Sequence, residues 1–348
     1  MLPSTPHHVP YRWQQLSPRW KARTAFWTED RWHHWRVDTI NRTLRNHKVA
    51  SQRELEARVS DFVPRGTPWV FPHDLTALKE SHDLVEISSD PVPFWTRRNM
   101  PRLYYEPVLQ RKQSIHRDYL AISAQDTCGR VAEHVVSRSM QAAPNVATKP
   151  HQVGNVTQIN GNTTDGSLDT YGYFTSGQGT ISRAAVPLGV EVKNVRHFIY
   201  PDSSAIWQTL RCAVQLNCVP ILVARRVHFK TFLFCRAIGM IVHETQKQYF
   251  AASLADDPRL HACHDELNFL DVLAWEEADP FIVDFFSNKI PKIIDRTVEN
   301  FEKYSDLLRD YAVEGDLHND EMPPRERKRK FAGFKEEFAR LSGAPPPW

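Results

Sequence analysis

The chain has 348 residues, with 44 Lys+Arg against 41 Asp+Glu and a formal net charge of +3, a balance that argues against a histone-like or wholly cationic nucleic-acid coat. Its 41% hydrophobic, 11% aromatic and 24% charged residues describe an ordinary globular chain of one large domain or two modest ones, and exclude collagen, mucin and a long disordered tail. The 5 cysteines form no C-x-x-C pair, so neither a disulfide framework nor a zinc knuckle is favoured, and a reducing compartment is the simpler assumption.

From Met1 to Pro10 there is no cationic patch followed by an apolar stretch, so no secretory signal is expected. The longest apolar run, Thr231 to Val242, is interrupted by Arg236 and falls short of the ~20 residues that span a bilayer. The expectation is a cytoplasmic protein with no membrane partner. Residues 1–50 carry 9 Lys/Arg and 3 Asp/Glu with Trp13, Trp20, Trp27, Trp32 and Trp35 interleaved. This pattern suits either a stacking and phosphate-binding surface or a small satellite core, within an N-terminal accessory region over residues 1–125.

The chemistry falls in residues 126–250. Val131, Ala132, Val135, Val136 and Met140 recur at helical spacing over Gly129–Ala142, with Asp126 or Thr127 as the expected N-cap and Glu133 at the margin of the apolar face. After a turn region rich in Gly, Asn and Thr, Ser167–Phe174 reads as a strand, and Gly177 and Gly179 suit a hairpin or a bulge. Pro187–Lys193 alternates strictly, so Val190 and Val192 share one face while Glu191 and Lys193 share the other. Pro201–Ser204 caps a helix with Ile206, Trp207, Leu210, Ala213 and Val214 on one side and Asn217 at its end. Val219–Ala224 is a nearly continuous apolar run, the signature of a strand covered on both faces, and closes on Arg225-Arg226. Strand, helix, strand in that order predicts a right-handed crossover between parallel strands. Thr231–Phe250 reads as helix and then short strand.

Hydrolysis of a phosphodiester by a divalent ion needs hard oxygen ligands and a cation or base beside the attacking water. Glu191 and Lys193 supply half of this from one strand face. Asp169 on the preceding strand supplies a second carboxylate, with Asp165 as the alternative, and the carbonyl of Val192 a third oxygen ligand. Lys193 orients or deprotonates the water and offsets charge on the scissile phosphate, and Glu133 completes the acidic shell through a water. Arg130, Gln215, Arg225 and Arg226 are the candidate nucleic-acid contacts. Cys128 with His134 and Asp126 is a poorer fit to nucleophilic catalysis, because Cys128 and His134 point in different directions on or beside one helix.

In this order, Gly129-Arg-Val-Ala-Glu133, Leu168-Asp-Thr-Tyr-Gly172, Glu191-Val-Lys193, a helix and Pro220-Ile-Leu-Val-Ala-Arg-Arg226 resemble the PD-(D/E)XK, restriction-endonuclease-like, nucleases across about a third of the chain. The resemblance implies an α/β fold with an αβββαβ core on a mixed central sheet, Asp169 and Glu191 as magnesium ligands, Lys193 as the catalytic lysine and Glu133 as the helical acid of the Holliday-junction-resolvase-like branch. Mg2+, with Mn2+ as a substitute, is the implied cofactor. DNA is the implied partner ahead of RNA, with a homodimer or a partner protein as a further expectation and genome defence, restriction or repair as the setting. The rival reading is a non-catalytic nucleic-acid-binding or complex-assembly protein that keeps the fold.

Residues 256–321 hold 18 Asp/Glu against 6 Lys/Arg. An acidic helical extension over residues 251–348, packed on the core, is expected there, facing away from a polyanionic substrate or covering the basic surface until substrate arrives. The run Arg325–Lys330 reads as a solvated basic tail or a phosphate contact.

Overall fold

The computed structural model describes residues 29–60, 71–81, 83–148, 154–175 and 185–348, and the chain divides into two compact units. One comprises residues 1–124 with 256–272, the other residues 125–255 with 273–348.

In the first unit the helix α1 (Glu29–His47) buries Val37, Ile40 and Leu44, a 3-4 spacing that lays one stripe on Leu55, Leu75, Leu78 and Trp95. Between α1 and the helix α2 (Gln52–Ser60) lies β1 (Val49–Ser51). The helix α3 (Phe71–Glu80) follows. The strands β2 (Leu84–Ser88) and β3 (Phe94–Arg97) then complete a small antiparallel sheet in the order β1-β3-β2. Buried charges here are paired: Arg36 and His33 both bond Asp74, and Lys112, on the helix α4 (Arg102–Ser123), reaches Glu54 at 2.5 Å. Trp35 packs on this core and Arg36 is spent on Asp74, which is satellite-core behaviour, while Trp13, Trp20 and Trp27 lie outside the described residues.

The second unit is a mixed α/β layer. The helix α5 (Asp126–Gln141) starts after an extended Gln125 with no side-chain cap, so neither Asp126 nor Thr127 is its cap. A 5-stranded sheet follows the order β10-β9-β8-β7-β4. Its strands are β4 (Val146–Ala147), β7 (Thr170–Phe174), β8 (Val186–Lys193), β9 (Val219–Ala224) and β10 (Ile241–Glu244). The pairs β4/β7 and β7/β8 are antiparallel, whereas β8/β9 and β9/β10 are parallel. The helix α6 (Ser204–Leu216) makes the connection from β8 to β9 and ends where Asn217 turns left-handed at φ 52°, a conformation that Asn tolerates. Every residue of β9 is buried, as a strand covered on both faces requires.

Apart from the main sheet stands a hairpin of β5 (Val156–Ile159) and β6 (Asn162–Leu168). Its turn is Asn160-Gly161, with φ 50° and 85°, the two left-handed residues of a type I′ turn. The single strand expected over Ser167–Phe174 is therefore two. The chain leaves its partner β5 at Leu168, bends at Asp169, and takes up β8 from Thr170. Gly177 and Gly179 lie outside the described residues.

Val190 and Val192 face a core with α5 and Val131, Val135 and Val136, while the opposite face packs Leu222 and Ala224 against Trp207, Leu210 and Ala213 of α6. The helix α7 (Phe229–Ile238) joins β9 to β10, and the short strand β11 (Gln248–Phe250) follows β10.

The acidic stretch beyond residue 250 is not one extension. The helix α8 (Pro258–Leu267) buries Leu260, Cys263 and Leu267, and Phe269 meets the rings of His116 and Tyr119 at 5.7 and 5.3 Å, so this piece belongs to the first unit. Residues 273–348 complete the second. There the helices α9 (Pro280–Asp284) and α10 (Ile290–Lys303), joined by a π turn, contribute Ile282, Phe285, Phe286, Ile290 and Ile294 to the α5 side of the sheet. A short helix, α11 (Ser305–Leu308), leads to α12 (Pro324–Ser342), which inserts Phe331, Phe334 and Phe338 beside Trp207. The basic run Arg325–Lys330 forms the first turns of α12, with Lys330 Nζ donating to the carbonyl of Gly315 at 2.8 Å. Among the described residues no helix is long and apolar enough to cross a membrane.

Candidate functional site

The alternation of β8 directs Glu191 and Lys193 to one side, and there Lys193 Nζ lies 2.5 Å from Glu191 Oε1. Glu191 is 5% exposed, and its second oxygen, Oε2, is buried with no hydrogen-bond partner. Lys193 keeps 33% of its side chain exposed, so the pair opens to solvent through the ammonium.

Asp169 is brought to this pair by the bend between β6 and β7. Its amide donates to the carbonyl of Val190 at 3.0 Å, its carbonyl accepts from Gly154 at 2.6 Å, and its carboxylate accepts the amide of Val192 at 2.6 Å. The Asp169 side chain is thus tied to the residue between Glu191 and Lys193. Asp165, the alternative ligand, is instead exposed and ion-paired to Arg211.

Glu133 approaches from α5. Its two carboxylate oxygens lie beside Gly129 and Gly154, 3.9 and 3.7 Å from where a Cβ would stand on each. Since Gly154 also bonds Asp169, Glu133 and Asp169 flank the same glycine. Exposed Arg130, one turn before Glu133, partly offsets its charge.

The electrostatics follow from this crowding. Burial and then the neighbouring Asp169 raise Glu191 to about 7 against the pull of Lys193. Burial raises Asp169, opposed by the Val192 amide and Lys193, and Glu133 is raised by burial and by Asp169. Burial alone would lower Lys193, yet the three carboxylates outweigh it and hold the ammonium above the ordinary lysine range. Lys193, with exposed Arg130 acting on Glu133 alone, thus faces three acidic groups. Charge of that kind is relieved by protons or by a further cation.

Two hard carboxylate oxygen donors, one of them an unpartnered buried atom, fit the ligand chemistry of Mg2+ or Mn2+. Among the described residues no group of three or more His, Cys, Asp or Glu is arranged to hold a metal, so the rest of a coordination shell would have to come from main-chain oxygen, water and substrate.

The remaining candidates lie elsewhere. Gln215 bonds Thr164 of β6. Contacts step back along α6 as β6 advances: Asn162 meets Leu216, Asp165 meets Arg211, and Gly166 faces Gln208. Gln208, about two turns closer to Asp169 than Gln215, is the glutamine nearer the acids. Arg225 and Arg226 are buried at 6% and 9%, and Arg225 Nη1 donates to the carbonyl of Arg196 at 3.4 Å, so Arg225 braces the strand end where a phosphate contact is expected from sequence. Cys128 is buried with its thiol pushed up to about 11 by desolvation, against a hydrogen bond from Asn194, which leaves it a poor nucleophile.

Two positioning residues were not singled out from sequence. Asn194 donates to the carbonyls of Cys128 and Tyr249 at 2.8 and 2.6 Å and accepts from Tyr249 N at 3.0 Å, tying the start of α5 and β11 to the end of β8. Gly154, at φ 78°, supplies both a left-handed turn and the gap that Glu133 fills. The Gly154-Asn155 pair signals a turn, but nothing local tells which acids it touches.

Comparison of the chain with protein-family models, with curated proteins and with solved structures returned no match.

Proposed function

We propose that this chain is a divalent-metal-dependent nuclease built on a restriction-endonuclease-like core, hydrolysing phosphodiester bonds of DNA. The observation that carries the reading is the buried carboxylate of Glu191, bonded through one oxygen to Lys193 and unpartnered through the other, with Asp169 tied to the intervening residue. The order helix α5, antiparallel β7/β8, helix α6 and parallel β9 supports it, as does the convergence of Glu133 on Asp169.

In this reading Asp169 and Glu191 hold Mg2+, or Mn2+ in its place. The bound ion supplies Lewis acidity toward the phosphate and a more acidic water. Asp169 is oriented for this by the Val192 amide, and burial keeps water from competing for Glu191. Lys193, held protonated by its neighbours, offsets charge developing on the scissile phosphate. Glu133, raised by burial and set back behind Gly154, accepts a proton from water at the edge of the site.

The test is Mg2+-dependent cleavage of plasmid and single-stranded DNA, with an RNA of the same sequence beside them. The expected outcome is cleavage by wild type and a loss of about a hundredfold or more in Lys193→Ala, on the scale of removing one preorganised electrostatic group, with unfolding midpoints matched to exclude misfolding. A second reading, a binding protein with a drifted acidic site, draws on the absence of a three-residue metal group among the described residues. Equal inertness of both proteins with retained, salt-dependent DNA binding would select it.

A further inference from the structure

The β8–β9 ladder ends at Lys193, but the two segments stay in contact beyond it. Arg225 N donates to the carbonyl of Lys193 at 3.3 Å, and a parallel bridge joins Ile199 to Val227. Val227 is three residues past Ala224, the register partner of Lys193, and so at most about 10 Å from it. The residues next to this bridge are aromatic. Tyr200 stacks on His228 with ring centroids 4.7 Å apart and planes at 26°, yet stays 48% exposed. His228 caps α7, its backbone carbonyl accepts from Phe232 at 3.2 Å, and Phe232 is 44% exposed. Tyr200 and Phe232 are thus two exposed rings linked through His228, itself buried at 8%, one by ring stacking and the other by a backbone bond, beyond the strand end that carries Lys193.

The exposed charge near these rings is mainly cationic. Lys230 and Arg236, on either side of Phe232 in α7, are exposed, as is His197, while the acids nearby are Asp202 and Glu244, the latter accepting the amide of Val227 at 3.0 Å. Large rings kept in water close to exposed cations match a polyanion that carries flat, apolar faces. Paired bases hide those faces in the duplex, whereas unpaired bases present them.

We infer that the exposed rings of Tyr200 and Phe232, the first backed by His228, are a stacking platform for unpaired bases, so that the substrate is a single-stranded or frayed nucleic acid whose backbone runs from these rings toward Lys193. The assignment rests on the nuclease reading for the direction of the strand alone. The stacking itself is independent of catalysis.

Fluorescence anisotropy in EDTA on the full chain separates the two. The probes are a labelled single-stranded DNA, its blunt duplex, the same duplex with a single-stranded overhang, and an RNA of the same sequence. Wild type binds the single strand and the overhang at least about tenfold more tightly than the blunt duplex. Tyr200→Ala and Phe232→Ala each weaken single-strand binding by about five- to 150-fold, the worth of one stacked base, with little change on the blunt duplex, while Tyr200→Phe retains binding. Tighter binding of RNA than DNA would support the platform and assign its strand to RNA. A Tyr200→Ala/Phe232→Ala double variant that keeps a wild-type melting midpoint and binds the single strand within twofold of wild type overturns the proposal, as does a wild type that prefers the blunt duplex. Absence of Mg2+-dependent cleavage with the stacking losses intact removes the nuclease reading and leaves the platform standing.

Discussion

Glu191 concentrates the cost and the use of this site in one side chain. A carboxylate 5% exposed with one oxygen unpartnered is expensive to keep ionised, and the folded protein answers by holding its proton up to about 7. The folded chain therefore binds that proton more tightly than the unfolded chain does. The stability it contributes is fully present at and below the ordinary glutamate range and is lost as pH rises through about 7. Glu191→Gln is expected to flatten this slope and to leave the metal-free protein at least as stable near pH 8, because a neutral amide replaces a buried charge. Mg2+ competes with the same proton, so it should raise the melting midpoint of wild type more at about pH 8 than at about pH 6, and not at all in Glu191→Gln. Differential scanning fluorimetry across that range reads all three outcomes. A wild type indifferent to Mg2+ at both pH values would remove Glu191 as a ligand. The E-x-K spacing was legible in the sequence because a strand alternates with period two whatever surrounds it. The unpartnered oxygen was not, since it depends on what α6 and β6 place over the strand.

Elements were read best where one local rule governs them. The helix α6, its end at Asn217, the buried strand β9 and its parallel pairing with β8 agree with the periodicity and turn chemistry of their residues. The hairpin β5/β6 has a strong two-residue turn signal in Asn160-Gly161, whereas the strand end beside Asp169 has none. A change of hydrogen-bonding partner leaves no mark on side-chain alternation. The end of α7 shows how tightly such elements are set. Gly239 takes φ 78°, and a Cβ there would be driven into the backbone of Thr297 and Phe301 on α10. Gly239→Ala should cost at least about 1–2 kcal/mol from the left-handed backbone alone, and more from the clash, seen as a lower denaturant midpoint with the slope unchanged. A substitution within 0.5 kcal/mol of wild type, roughly the noise of surface changes, would mean that α10 does not pack on this turn.

At the scale of the whole molecule, the second unit depends on its C-terminal residues. Phe334 is fully buried, with ring centroids 5.1 Å from Trp207 and 5.7 Å from Phe234, so α12 helps hold α6 against the sheet. Phe334→Ala is expected to destabilise this unit by about 3–5 kcal/mol, the usual cost of deleting a buried ring, measured by chemical denaturation; a loss below about 1 kcal/mol would show that α12 is dispensable to it. Charge order along the chain, basic before residue 250 and acidic after it, and the alternation that pairs Glu191 with Lys193 were determined by sequence alone, because they are properties of neighbours in the chain. Only the tertiary structure decided that residues 256–272 join the first unit while residues 273–348 complete the second, that Arg225 and Arg226 are buried, and that Glu133 and Asp169 meet at Gly154. Apolar periodicity states that a face must be covered. Which distant segment covers it, and which charges that covering brings together, follows from packing across the whole chain.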